Sequence, residues 1–170
     1  MASSRVEMLR GSAEMHSPFM SNEWWLSQDG EVLATLRRFG RARRSRVTLA
    51  DHTVWDLEPN GWGVVEALEE GVAVARIVRR SWFGRLWEAG GVGFSFNVVS
   101  RPRPRRWAIE IGGAPVAELA GSMLSYNRLR IDSPIAVPLV AVALAWQVVV
   151  RPWEAAAFAP APPQTQPGRR

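Results

Sequence analysis

Residues 29–38 read Asp29-Gly30-Glu31-Val32-Leu33-Ala34-Thr35-Leu36-Arg37-Arg38, a turn dipeptide running into an alternating segment. The pattern returns as Glu70-Gly71-Val72-Ala73-Val74-Ala75-Arg76-Ile77-Val78-Arg79-Arg80 and again as Gly112-Gly113-Ala114-Pro115-Val116-Ala117-Glu118-Leu119. Ala34, Ala75 and Ala117 are equivalent, and Leu36, Ile77 and Leu119 follow two positions later. Side chains alternate along a strand, so Thr35, Arg76 and Glu118 between them point to the opposite face.

Each copy is preceded by a second strand-like run: Trp24-Trp25-Leu26, Val64-Val65-Glu66-Ala67-Leu68, and Trp107-Ala108-Ile109-Glu110. Aromatic and β-branched residues of this kind suit a half-buried pleated surface. An aromatic and basic element follows each hairpin: Phe39-Gly40-Arg41, Phe83-Gly84-Arg85 and Tyr126-Asn127-Arg128. A spacing of about forty residues marks one supersecondary unit copied several times, here a β-hairpin plus a following strand. Short strands punctuated by turns predict a barrel or sandwich.

The segment Ile135–Val150 (IAVPLVAVALAWQVVV) breaks the pattern, being apolar on every side except at Gln147. A helix hydrophobic all round must be buried. Asp132 or Ser133 is placed to cap it, Pro134 or Pro138 to sit in its first turn, and Arg151-Pro152 to stop it. As a membrane span it is short, rising about 24 Å against a hydrocarbon core of about 30 Å. The expectation is a mainly β fold: a closed antiparallel barrel of about twelve strands around a buried apolar C-terminal helix. Closure removes exposed strand edges, and a barrel too wide for its own side chains needs something apolar inside.

These elements resemble the tubby C-terminal-like fold, and within it the LURP-one-related proteins, which are related to phospholipid scramblases. Residues 29–38 are similar to that family's DG-x-VLATIRR hairpin, and Trp107–Leu119 resembles its Y-x-I-x-x-GG-x-PVAEV element. Residues 135–150 stand where its core helix belongs. The resemblance covers about Asn22 to Trp153 and implies a barrel of roughly twelve strands around a central hydrophobic helix. Arg151-Pro152 stands where family helices often end in an acidic residue. The phosphoinositide-contacting basic residues of tubby proteins have no counterpart, so lipid binding is not carried over residue by residue.

The expected organisation is a flexible lead-in over 1–21, a barrel domain over 22–153 with its helix near 135–150, and a disordered proline-rich tail over 154–170. At 170 residues the chain accommodates one core. All 21 basic residues are arginine and the net charge is +5; GC-rich coding accounts for such a bias as readily as nucleic-acid binding does. With no cysteine, disulfides, thiol catalysis and cysteine zinc sites are excluded. His16 and His52 are too few for a histidine-rich metal centre, and neither metal nor cofactor is expected. The first twenty residues intersperse charges and contain no apolar run, so they do not read as a secretory signal, and a cytoplasmic location is expected.

Three constellations invite a chemical reading and fail it. Glu69-Glu70 precedes Gly71 at a hairpin, which suits a solvated turn better than an acid/base pair. Asp51-His52-Thr53 lies between strand-like runs with no serine in a nucleophile elbow, and reads as a turn. Gly90-Gly91-Val92-Gly93 is followed by Phe94-Ser95-Phe96-Asn97-Val98-Val99, a strand, whereas a phosphate loop must open a helix; a bulge or tight hairpin is expected. No enzyme activity is expected.

Two arginine clusters remain. Arg41, Arg43, Arg44 and Arg46 follow Phe39-Gly40 and fall between two strands, so at least some of them are expected to project from one loop. Arg101, Arg103, Arg105 and Arg106 alternate with Pro102 and Pro104, which withhold amide donors and place this segment in a stiff exposed loop. The plainer reading of both is solubility on a lysine-free surface; the functional one is an anion site, since the guanidinium fork suits phosphate. Most of the nine tryptophans belong in the core or on strand faces. Trp62 and Trp82-Phe83 lie beside turns, where exposure at a barrel rim would let them touch a partner or a bilayer interface.

The leading expectation is a non-enzymatic binding or scaffold protein acting peripherally at anionic membranes, with phospholipid headgroups or a protein as partner. The alternative is a membrane-anchored, scramblase-like protein that uses 135–150 as its membrane segment. Nucleic-acid binding through the arginines ranks third, without a supporting motif.

Overall fold

The structure, a computed structural model, describes residues 7–18, 21–39 and 43–157. Twelve strands precede one helix: β1 (Met8–His16), β2 (Glu23–Gln28), β3 (Glu31–Phe39), β4 (Arg44–Leu49), β5 (Val54–Pro59), β6 (Val64–Glu69), β7 (Val72–Arg79), β8 (Leu86–Gly91), β9 (Phe94–Ser100), β10 (Arg106–Ile111), β11 (Ala114–Gly121), β12 (Arg128–Pro138) and α1 (Leu139–Ala157). Each strand pairs antiparallel with its neighbours in sequence, and β1 pairs with β12 to close the barrel.

The sequence repeat is a structural one. The hairpins β2–β3, β6–β7 and β10–β11 turn on Asp29-Gly30, Glu70-Gly71 and Gly112-Gly113, with φ of 52° and 86°, 50° and 81°, and 58° and 83°. Positive φ at both central residues is the tight turn whose twist matches that of paired strands. Each hairpin also shifts register at the same place, at Leu26/Ser27, Ala67/Leu68 and Ile109/Glu110, three residues before its turn. Ala34, Ala75 and Ala117, with Leu36, Ile77 and Leu119, are all buried. Three four-stranded units therefore make up the barrel, and the last borrows its fourth strand, β1, from the other end of the chain.

That borrowed strand corrects the expected lead-in. Residues 8–16 are not flexible: Leu9, Ala13 and Met15 face the core, and the strand pairs along β12. Pairing with β1 also reassigns Ile135–Pro138. They are the end of β12, with Val137 opposite Leu9 and Pro138 opposite Met8, and are not the first turn of the helix. Asp132 and Ser133 accordingly do not cap it. The Ser133 hydroxyl donates to the Ile135 carbonyl at 2.7 Å and holds the strand instead.

The helix begins at Leu139, whose amide donates to the Glu7 carbonyl at 2.8 Å. Every residue from Leu139 to Val150 is buried inside the barrel. Arg151-Pro152 does not stop it: α1 continues to Ala157, the proline withholding only the amide that would reach the carbonyl of Val148. Its first turns are packed by Met15, Leu26, Leu36, Val47 and Trp55, and the space among them is too small for a water molecule. The helix thus fills the lumen. Of the expected tail, 154–157 belong to the helix and 158–170 lie outside the described residues.

Candidate functional site

An up-and-down barrel places alternate hairpins at opposite ends. The connections β1–β2, β3–β4, β5–β6, β7–β8, β9–β10 and β11–β12 form one end, here the loop end. The tight turns β2–β3, β4–β5, β6–β7, β8–β9 and β10–β11 form the other, the turn end. The helix enters from the turn end and runs toward the loop end, where Gln147 meets the carbonyl of Arg43.

Charge is divided between the two ends. The loop-end connections contain Arg43, Arg80, Arg85, Arg101, Arg103 and Arg105 and no carboxylate. The turn-end connections contain Asp29, Asp51 and Glu70 and no arginine. At that end Asp51 accepts the Thr53 amide at 2.9 Å, which holds its carboxyl below the usual value and confirms the expected turn at 51–53. Gly90-Gly91-Val92-Gly93 is the β8–β9 hairpin, with no helix after it.

The expected arginine sites are only partly brought together. Arg41 lies outside the described residues. Arg43 is exposed in the β3–β4 turn, but Arg44 and Arg46 are not in a loop. They alternate in β4 with buried Ser45, Val47 and Leu49, and so face outward from the barrel wall. There Arg46 pairs with Asp56 at 2.7 Å and Arg44 lies 3.9 Å from Glu58, both acids being on β5. The second cluster does occupy the β9–β10 loop, with Arg106 opening β10. Arg101 pairs with Glu110 at 3.2 Å, while Arg103 and Arg106 are exposed and make no ion pair among the described residues.

Arg43 and the β9–β10 loop share one end of the barrel but stand on opposite sides of its rim, three connections apart in the ring of six. They do not form one pocket. Apolar tips lie between them. On one side stand Trp62 of the β5–β6 loop and Trp82-Phe83 of the β7–β8 loop; on the other stand Met123 and Leu124 of the β11–β12 loop. Exposure reaches 71% at Trp62, 76% at Trp82, 82% at Phe83, 65% at Met123 and 99% at Leu124.

Two arginines brace these tips. Arg79 stacks under Trp62 at 5.0 Å from the ring centre, and its guanidinium donates to the carbonyls of Ser81 (2.9 Å) and Trp82. The indoles of Trp62 and Trp82 lie 6.1 Å apart. Gly63 lets this happen: with φ of 69°, its backbone lies so close that a Cβ there would come within 2.9 Å of the Arg79 Cβ. On the far side Arg105 lies 3.9 Å from the Tyr126 ring centre and donates to the carbonyls of Ser122 and Ser125 (3.2 Å). Sequence reasoning placed Arg105 in an anion site and passed over Arg79. Both hold loop backbone: Arg79 that of the loop it leads into, and Arg105 that of a loop the barrel makes its neighbour.

Among the described residues no group of three or more His, Asp or Glu side chains is placed to hold a metal ion. Among the same residues no helix is long and apolar enough to cross a membrane.

The chain matches no known family model and no curated protein. Among solved structures it is similar to the X-ray structure of a protein from Arabidopsis thaliana, with a TM-score of 0.61 and 12% identity over 88% of this chain and 97% of that one. At that identity the likeness is one of fold.

Proposed function

We propose that this chain is a non-enzymatic, LURP-one-related type of barrel that docks peripherally on anionic phospholipid surfaces through its loop end. The observation that carries this reading is the division of charge along the barrel axis. A surface of phosphate groups attracts the arginine-bearing loops and repels the carboxylate-bearing turns, so the field alone orients the approaching protein. A flat surface also suits arginines spread around a rim better than a small ligand does, because Arg43 and the β9–β10 loop stand on opposite sides of it. The membrane-anchored alternative is less favoured, because residues 139–150 are already covered by strands and 135–138 belong to one.

Co-sedimentation with vesicles tests the proposal, using phosphatidylcholine alone and with increasing phosphatidylglycerol, at low and physiological salt. Binding should require the anionic lipid and weaken as the screening length falls to about 8 Å. Each arginine near an anionic bilayer contributes about 1 kcal/mol, so replacing Arg43, Arg85, Arg103 and Arg106 by glutamine should lower affinity by roughly a hundredfold or more. Arg44→Gln and Arg46→Gln should matter less, since each side chain already faces a carboxylate. A wild-type protein that ignores anionic vesicles at low salt sinks the proposal. Tight binding to duplex DNA or RNA in a parallel shift assay would put nucleic acid in place of lipid.

A further inference from the structure

The loop end presents more than charge. Resting on the reading of this end as a lipid-docking surface, we infer that Trp62, Trp82, Phe83 and Leu124 are membrane anchors: they enter the headgroup–acyl boundary and set the barrel axis along the bilayer normal.

The rim alternates in kind. Going around it, the exposed Arg43 turn is followed by the two-loop indole platform, then the Arg101–Arg105 loop, then the Met123-Leu124 tip. Apolar tips on both sides of the basic loops would enter a flat surface together, whereas a one-sided patch would tilt the barrel. The tips are also held in place. Arg79 ties the β7–β8 loop to the ring of Trp62 on β5–β6, and Arg105 ties the β11–β12 loop to β9–β10. Side chains exposed to this degree would lower their free energy by burial, and preorganised tips lose little conformational freedom on entering the membrane. Tryptophan suits the destination, having an apolar body and an N–H that still reaches headgroup oxygens.

The turn end also exposes apolar groups, among them Val72 and Val92. They differ in two respects: they are single aliphatic residues, and they share their end with Asp29, Asp51 and Glu70, which an anionic surface repels. Charge complementarity therefore selects between the ends.

The test is vesicle binding followed by tryptophan fluorescence, with phosphatidylglycerol-containing vesicles and a series carrying brominated acyl chains. Wild type should show a blue shift on binding, quenching by lipids brominated near the headgroup, and a bound fraction that resists salt. Trp62→Ser with Trp82→Ser and Phe83→Ser should lower affinity by about tenfold or more and remove both the quenching and the salt-resistant fraction. Leu124→Ser should lower affinity less without altering the indole signals. Val72→Ser with Val92→Ser should change nothing. These positions are exposed, so the melting temperature should report an intact barrel in each case. Binding that persists with no blue shift and no quenching overturns the anchor and leaves the electrostatic reading standing. Loss of binding on the Val72/Val92 change overturns the orientation. A wild type that binds no anionic vesicle overturns both.

Discussion

The Ser45 hydroxyl on β4 donates to the Gln147 carboxamide oxygen at 2.6 Å, and the Gln147 amide donates in turn to the Arg43 carbonyl at 2.7 Å. Gln147 is the one amide side chain between Leu139 and Val150, so this link adds a side-chain hydrogen bond at the loop end to the backbone bond from Leu139 to Glu7 that holds the start of the helix. Replacing Gln147 with leucine strands the buried Ser45 hydroxyl and leaves the Arg43 carbonyl without this donor, at a cost of about 1–3 kcal/mol. At roughly 2–4 °C per kcal/mol for a chain of this size, Gln147→Leu should lower the melting temperature by several degrees. Ser45→Ala in the same background should add little, because the hydroxyl it removes has already lost its partner. Additive losses in a double-mutant cycle would show that the two residues are not coupled.

Leu144 lies midway along the buried stretch Leu139–Val150 and is wholly buried. Leu144→Ala should cost about 2–5 kcal/mol, since twelve paired strands cannot collapse onto the space it leaves. Leu144→Asp places an unpaired charge in the lumen and should abolish soluble folded protein. A soluble Leu144→Asp variant with unchanged circular dichroism and melting would contradict the helix's position inside the barrel.

Gly63 has φ of 69°, and an added Cβ would meet the Arg79 Cβ at 2.9 Å. Gly63→Ala should therefore cost about 1 kcal/mol or more for the backbone conformation alone. It should also push the β5–β6 loop away from Arg79, separating Trp62 from Trp82. The signal to follow is the exciton couplet of the paired indoles in circular dichroism, which should fall further in Gly63→Ala than in Gly61→Ala, since Gly61 has a similar backbone conformation (φ 79°) but nothing lies near the added atom.

How much of this was legible in the sequence depends on whether each element announces itself locally. Asp29-Gly30 and its two copies do, because a turn dipeptide followed by alternation needs no tertiary partner to be read. Met8–His16 does not: its alternate positions are Leu9, Gly11, Ala13 and Met15, and the glycine and alanine in the middle leave the apolar alternation too weak to read. A three-fold repeat of four strands nevertheless demands a strand beside β12, and that count was the missed signal. Ile135–Pro138 read as helix because an apolar run has no period to distinguish helix from strand. Arg44 and Arg46 carried their answer in the intervening Ser45, Val47 and Leu49, a period of two overlooked in favour of the charge. The bracing by Arg105 had no local signal, since it acts on a neighbouring loop; Arg79 holds the loop that directly follows it, and only its stacking on Trp62 reaches another.

The barrel closes without a covalent link at the β1–β12 seam, and there Asp132 accepts from the Ser12 hydroxyl and pairs with Arg130 at 2.8 Å. The Ser12 hydrogen bond, followed by the Arg130 interactions, holds the Asp132 carboxyl below its ordinary 3.8. A depressed carboxyl stabilises the fold above its unfolded value and ceases to as pH falls through its folded value, so this contribution is intact at neutral pH and lost below about pH 4. With Arg130 and Asp132 exposed at 64% and 43%, it amounts to at most about 1 kcal/mol. Other carboxyls titrate in the same range: Asp51 is depressed as well, while burial raises that of Glu7, so the acid response of wild type is a sum of opposing parts. The difference between wild type and Asp132→Asn isolates the seam. It should be constant from pH 7 to 5 and shrink toward zero below pH 4 in urea unfolding. Amide exchange should locate the loss, accelerating in β1 and the paired part of β12 before the β6–β7 hairpin on the far wall. A difference independent of pH would assign Asp132 a packing role and remove its charge from the closure of the barrel.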